Sequence, residues 1–439
     1  MCLVLLLPIW TIKAFSNHDE NESIDFPPQL DADDIRYYSE QYDLEGLYWA
    51  ASNIFARRKQ RWTDHKLSMV DVTPPIVSRG GGSTYTTRYK LAMDLEQVEY
   101  LLDNVLAKDL DCTKDDGNAP DYAKRRIPHV AKYLREVVAP TYRKVLETIP
   151  PLEQLERTAG LYPFSKADID HGILDVYNKA HYLTASEFTD ESLVDDRGKP
   201  ITLLNEKLDV DRIQKEWFGE VDDGELSQKG VVVIDDILSP LALERIRNLL
   251  LESTVFYQTK MPLRFGGYAG AYIDDGLHDK ILLALAFELN QALPRIMKGH
   301  PLRYLWAYKY DSEYSGIATH ADEAAVNVNI WLTPDEANLD PDSGGLVVFT
   351  AKPPPDADFQ SYNTDTARLV EELIAPTGYA NVTVPYRYNR AVMFDSALFH
   401  HTDKFRFKGG YLNRRINLTI LYGSMVLSTT ETNSGSSEL

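Results

Sequence analysis

The chain has 439 residues, 44% of them hydrophobic and 26% charged, with a formal net charge of −20. A chain of this length buries a sizeable core and fits two domains, and its composition excludes a fibrous or wholly disordered protein. The acid excess weighs against non-specific binding to nucleic acid or anionic lipid, because phosphates need Lys and Arg.

Residues 1–25 contain the apolar run Cys2 to Trp10. It is shorter than the roughly 20 residues of a membrane span. It has the length of a signal-peptide core, but no basic residue precedes it. The expectation is cytoplasmic, or the secretory pathway if residues 1–15 act as a signal, with membrane attachment only through an uncleaved anchor. Cys2 and Cys112 are the two cysteines, too few for a disulfide framework.

Residues 26–225 are predicted to be a mainly α-helical domain, after a polar linker. Helical spacing runs through residues 36–76, as in Leu44, Leu47, Tyr48 and Ile54, and Gly80-Gly81-Gly82-Ser83 then breaks it. That run lacks the Gly-Lys-Ser/Thr ending of a phosphate-binding loop. Helical patterns resume over 91–102 and 127–149, where Pro140 is the expected boundary. Residues 150–225 show no clear period.

A second domain is predicted over residues 226–425. Gly230 to Asp236 reads as a short buried strand, Ser239-Pro240 as the cap of a helix over 241–251, and 278–298 as a second helix. Short strands follow at Tyr304–Tyr310, Ala325–Leu332, Gly345–Phe349, Asn381–Val384, Ala391–Phe394 and Ile416–Leu421. Turn clusters separate them, which predicts a barrel or sandwich and an α+β chain. Residues 426–439 have no apolar periodicity and are expected to be disordered.

Chemistry concentrates in His320-Ala321-Asp322 and in His400, eighty residues later. Strand alternation puts His320 and Asp322 on one face. Two imidazoles and a carboxylate can occupy one face of an octahedral metal, the facial triad of non-haem Fe(II) oxygenases. A second match, His401-Thr402-Asp403, has no histidine after it to complete a set. His400 and His401 point to opposite faces of a strand, and apolar Phe399 before the pair favours His400 as the ligand. Asn327, Asn329 and Trp331 alternate with Val328, Ile330 and Leu332, and Arg415, Asn417 and Thr419 with Ile416, Leu418 and Ile420. An inward polar face beside the metal motif suggests a lined pocket. A buried Arg415 needs a partner, and a dicarboxylate cosubstrate supplies one in bidentate geometry. Arg414 is the second choice for that role. Tyr310 is a candidate for a further hydrogen bond to the same carboxylate. Asp342-Ser343-Gly344-Gly345 reads as a structural turn.

Residues 304–423 resemble the Fe(II)/2-oxoglutarate-dependent dioxygenases, on the prolyl 4-hydroxylase-like branch. The motifs that carry the resemblance are Tyr-Lys-Tyr-Asp (308–311), His-Ala-Asp (320–322), Asn-Val-Asn-Ile-Trp-Leu-Thr-Pro (327–334), Asp-Ser-Gly-Gly-Leu-Val-Val-Phe (342–349), Asn-Arg-Ala-Val-Met-Phe-Asp-Ser-Ala-Leu-Phe-His (389–400) and Arg-Arg-Ile-Asn-Leu-Thr-Ile-Leu-Tyr-Gly (414–423). The stretch Asp94 to Leu101 is similar to the tetratricopeptide-like N-terminal part of some such proteins.

The resemblance implies a double-stranded β-helix (jelly-roll) core behind the helical domain. It implies Fe(II) held by His320, Asp322 and His400, and 2-oxoglutarate held by Arg415 with Tyr310. It also implies Asn329 at the chelating end, and O₂ as cosubstrate, with ascorbate compatible. The collagen-type prolyl hydroxylases use Lys where this chain has Arg415, which sets the prolyl substrate apart. The implied reaction is hydroxylation of an unactivated C–H in a protein side chain or small metabolite, releasing succinate and CO₂. The rival readings are a non-catalytic β-helix binding module, an interaction protein working through its helices, and a metal enzyme that needs no 2-oxoglutarate. Oligomeric state is left open.

Overall fold

The computed structural model describes residues 32–64, 84–107, 128–179, 193–221, 228–311, 316–354 and 366–424. The N-terminal apolar run, the Gly80–Ser83 run, Cys112 and the C-terminal tail lie outside these residues. Among the described residues no helix is long and apolar enough to cross a membrane.

Helices α1 (Ala32–Glu40) and α2 (Leu44–Asp64) come first. A small hairpin pairs β1 (Tyr85–Thr86) with β2 (Tyr162–Pro163) around α3 (Arg88–Tyr100) and α4 (Ala139–Thr148). Thr87 caps α3 by accepting from the Lys90 amide. Helical backbone continues through Pro140, against the predicted boundary. A wide turn over Leu134–Val138 precedes it, with the Ala139 amide reaching back to the Leu134 carbonyl. That five-residue reach reroutes the backbone bonds, so the missing Pro140 N–H does not stop the helix.

Beyond α5 (Val210–Phe218) the chain is built on strands. These are β3 (Val231–Ile234), β4 (Gln258–Thr259), β5 (Tyr268–Tyr272), β6 (Leu302–Tyr310), β7 (Val326–Trp331), β8 (Leu346–Phe349), β9 (Asn381–Val384), β10 (Ala391–Asp395), β11 (His400–Thr402) and β12 (Ile416–Tyr422). Helices α6 (Pro240–Glu252) and α7 (Lys280–Ala292) intervene. Ser239 and Pro240 start α6 as predicted, the Ser239 hydroxyl accepting from the Ala242 amide. Strands β4 and β5 had no counterpart among the predicted elements, because Gln258–Thr259 is short and Tyr-Ala-Gly-Ala-Tyr has no apolar–polar alternation.

Seven strands form one antiparallel sheet in the order β3-β10-β7-β12-β6-β5-β4, and three form a second, β11-β8-β9. Val231, Trp331, Val392 and Phe394 of the large sheet share one apolar cluster with Leu346, Val348, Val382 and Val384 of the small sheet. The two sheets therefore face each other across a common interior. The large sheet's other face carries Leu305, Ala307, Val328, Ile330, Leu418 and Ile420, which pack with Leu47 and Ala50 of α2, Ile246 and Leu250 of α6 and Leu282 and Leu285 of α7. Each large aliphatic side chain buried this way contributes about 1.5–3 kcal/mol. This helical cover leaves the opposite face of the sheet for the site. Residues 91–177 have an apolar cluster of their own, built on Leu91, Val98, Leu134, Val138, Tyr142 and Ile173.

Candidate metal centre and anion pocket

Residues 320 and 400 meet as an isolated antiparallel bridge at the edge of the small sheet, each amide donating to the other's carbonyl, at 3.0 and 2.9 Å. Asp322 follows on the same face, its amide tied to the Ser396 carbonyl at 3.1 Å. The result is a compact group. His320 Nε2 lies 3.6 Å from Asp322 Oδ1, and His400 Nε2 lies 3.5 Å from Asp322 Oδ2. One ligand atom from each residue falls within 4.8 Å of the others, spacing suited to one metal ion.

The tautomers are set by the backbone. His320 Nδ1 is 2.8 Å from the Ala318 carbonyl, and His400 Nδ1 is 3.0 Å from the Leu398 carbonyl. A carbonyl only accepts, so each Nδ1 carries the proton and each Nε2 presents a lone pair to the shared space. Burial pushes the His320 imidazole down to about 4, helped by the neighbouring His400. Burial alone would raise the Asp322 carboxyl. The polar neighbours His400, His320 and Asn327 outweigh it and hold the group below its ordinary value. A neutral His320 imidazole beside a carboxylate matches the protonation states a divalent ion requires.

The two H-x-D matches separate by face. His400 pairs with Val348 and His401 with Val347. Val348 belongs to the interior between the sheets, and His400 packs there on Phe394, ring centres 4.7 Å apart. Val347 belongs to a separate outer cluster, and His401 sits against Phe349 of that cluster. Asp403 accepts from the Gly344 amide at 3.2 Å.

Arg415 lies in the same interior and is 2% exposed. Its Nε donates to the Gly344 carbonyl at 2.9 Å and one Nη to the Gly345 carbonyl at 3.3 Å. The other, Nη1, has no partner among the described residues. No carboxylate pairs with it among the described residues. Aromatic rings stand around the guanidinium: Tyr310 at 4.7 Å, Phe405 at 5.6 Å, and Trp331 and Tyr386 at 5.8 Å. Burial raises the Tyr310 phenol, while the charge of Arg415 opposes the rise. A buried cation with a free donor and no counter-charge among the described residues is able to take an anion.

Arg414 projects to the opposite side. It forms a two-point ion pair with Glu96 of α3, at 2.8 and 3.0 Å, and approaches Asp311 at 3.4 Å. Asn329 has both ends of its amide engaged by protein groups. Its Nδ2 donates to Asn327, and its Oδ1 accepts from Asn417 and Thr419. Gly344 and Gly345, read from sequence as a turn, also supply the carbonyls that aim Arg415. Gly344 adopts φ +87°, which suits glycine, and an added Cβ on Gly345 would lie 1.9 Å from the Val384 carbonyl oxygen. Phe405 and Tyr386 were not anticipated, because neither stands in an alternating strand.

No family model and no curated protein matches the chain. Among solved structures it is similar to a 2OG-Fe(II) oxygenase family oxidoreductase from Burkholderia pseudomallei, at 14% identity and TM-score 0.32, over 51% of this chain and 94% of that one. A prolyl 4-hydroxylase from Phytophthora capsici gives 20% identity and TM-score 0.31, over 51% and 68%. HygX from Streptomyces hygroscopicus, solved with nickel, 2-oxoglutarate and hygromycin B, gives 13% and 0.31, over 45% and 83%. At these levels of likeness, function is argued from the geometry of the site.

Proposed function

We propose that the chain is an Fe(II)- and 2-oxoglutarate-dependent dioxygenase, built on a double-stranded β-helix within residues 226–425. Its reaction is hydroxylation of an unactivated C–H in a protein side chain or small metabolite. One observation carries the reading. A face of two imidazoles and one carboxylate shares the sandwich interior with Arg415, a buried cation whose Nη1 has no partner among the described residues.

The donor set fits the metal. His320, Asp322 and His400 offer two nitrogens and an oxygen from one side, a set suited to Fe(II) with open positions opposite. When bound, iron with 2-oxoglutarate and O₂ supplies the oxidising power, and the cosubstrate leaves as succinate and CO₂. The chain's own residues do the positioning. The Ala318 and Leu398 carbonyls hold the two rings in the ligating tautomer. Arg415 takes the distal carboxylate of 2-oxoglutarate, using the unpartnered Nη1, with the Tyr310 hydroxyl beside it. The surrounding rings keep water from that ion pair, which strengthens it.

Purified protein supplied with Fe(II), ascorbate and 2-oxoglutarate is expected to release succinate, and His320→Ala is expected to release little or none. Equal release by the two proteins would refute the proposal.

A further inference from the structure

Strands β7 and β12 turn a row of short polar side chains into the sandwich, and these bond to one another in a single direction. Asn417 Nδ2 donates to Asn329 Oδ1 at 2.7 Å, and Thr419 Oγ1 donates to the same atom at 2.9 Å. Asn329 Nδ2 donates to Asn327 Oδ1 at 2.6 Å. Asn327 Nδ2 then donates to Asp322 Oδ2 at 2.7 Å. None of these four side chains is more than 7% exposed. Asn417 Nδ2 also donates to Thr419 Oγ1 at 2.9 Å, so Asn417, Thr419 and Asn329 form a closed group of three, and the row leaves it through Asn327. The row ends on a carboxylate oxygen, and Asn417 Oδ1 at its far end has no partner among the described residues.

We propose that Asn327, aimed by Asn329, Asn417 and Thr419, is a positioning residue that occupies Asp322 Oδ2 and presents Oδ1 alone to the metal. The inference rests on the reading of His320, Asp322 and His400 as a metal face. A carboxylate held by one oxygen leaves three protein donors on the ion. A carboxylate free to swing would offer both oxygens and take a fourth position, one that a chelating cosubstrate and O₂ need. Hydrogen bonds to ligating carboxylates typically contribute roughly 10- to 100-fold in metal affinity.

The test is titration of the full chain with Co(II), read by calorimetry and by the ion's visible absorption, which reports coordination number. Asn327→Ala is expected to weaken Co(II) about 10- to 100-fold and to change the absorption. Asn329→Ala, which acts through Asn327, is expected to shift both in the same direction by less. Val328→Ala, on the opposite face of the same strand, is expected to lower stability and leave both readings unchanged. Wild-type affinity and absorption in Asn327→Ala would overturn the inference, as would an equal loss in Val328→Ala. If His320→Ala binds Co(II) as the wild type does, the metal reading falls, and this inference with it.

Discussion

Replacing Arg415 with methionine separates the anion pocket from the fold. The guanidinium is 2% exposed and has two carbonyl acceptors, ring faces and, among the described residues, no carboxylate. A lone buried charge costs several kcal/mol, so removing it returns stability. Against that, the Gly344 and Gly345 carbonyls lose their donors, at about 1–3 kcal/mol each, and the contact with Tyr310 loses about 0.5–2 kcal/mol. These opposing effects are of similar size, so Arg415→Met is expected to change unliganded stability by less than about 2 kcal/mol. The ligand effect is larger. At a hundred times its Kd, 2-oxoglutarate adds about 2.7 kcal/mol to a protein that binds it, or about 5–10 °C in Tm if the sandwich unfolds as a unit. Scanning calorimetry with Mn(II), with and without 2-oxoglutarate, is expected to show that rise in the wild type and none in Arg415→Met. A variant that keeps the rise would refute the assignment of Arg415. A variant destabilised by more than about 4 kcal/mol without ligand would refute the claim of an uncompensated charge.

Two further outcomes are expected. His278 is 9% exposed, its Nδ1 has no partner among the described residues, and it sits between the rings of Tyr48 and Phe55 on α2. Burial pushes it down to about 4 from its ordinary 6.5. The folded state therefore holds it neutral while the unfolded state takes a proton. Its contribution is fully present above pH 6.5 and is lost as pH falls toward 4, by about 3 kcal/mol. Urea midpoints across that window should fall less steeply in His278→Phe than in the wild type, and parallel curves would rule the account out. Gly345→Ala puts a Cβ 1.9 Å from the Val384 carbonyl oxygen and 2.7 Å from the Trp331 ring. It is expected to cost about 1–3 kcal/mol or more and to weaken 2-oxoglutarate, because the Gly345 carbonyl aims Arg415. Gly409→Ala, with nothing within 4 Å, is the neutral control, expected within about 0.5 kcal/mol in denaturant titration.

Local periodicity determined a good deal of this protein. The strand at 326–331 and the one at 416–422 were legible because side chains alternate every second residue, and Asn327-Val328-Asn329-Ile330 shows both faces at once. The same rule placed His320 and Asp322 together and set His400 against His401. It could also say that Arg414 and Arg415 point opposite ways, but not which way is inward. That depended on the small sheet closing over one face and the helices over the other, and on Glu96, 318 residues from Arg414, taking up the second guanidinium. The return of His400 beside His320, the carbonyls of Gly344 and Gly345 under Arg415, and the ring of Phe405 are likewise contacts between distant segments. Period and propensity act over a few residues. Which strand lies beside which follows from the packing of the whole chain, and only the tertiary structure decided it.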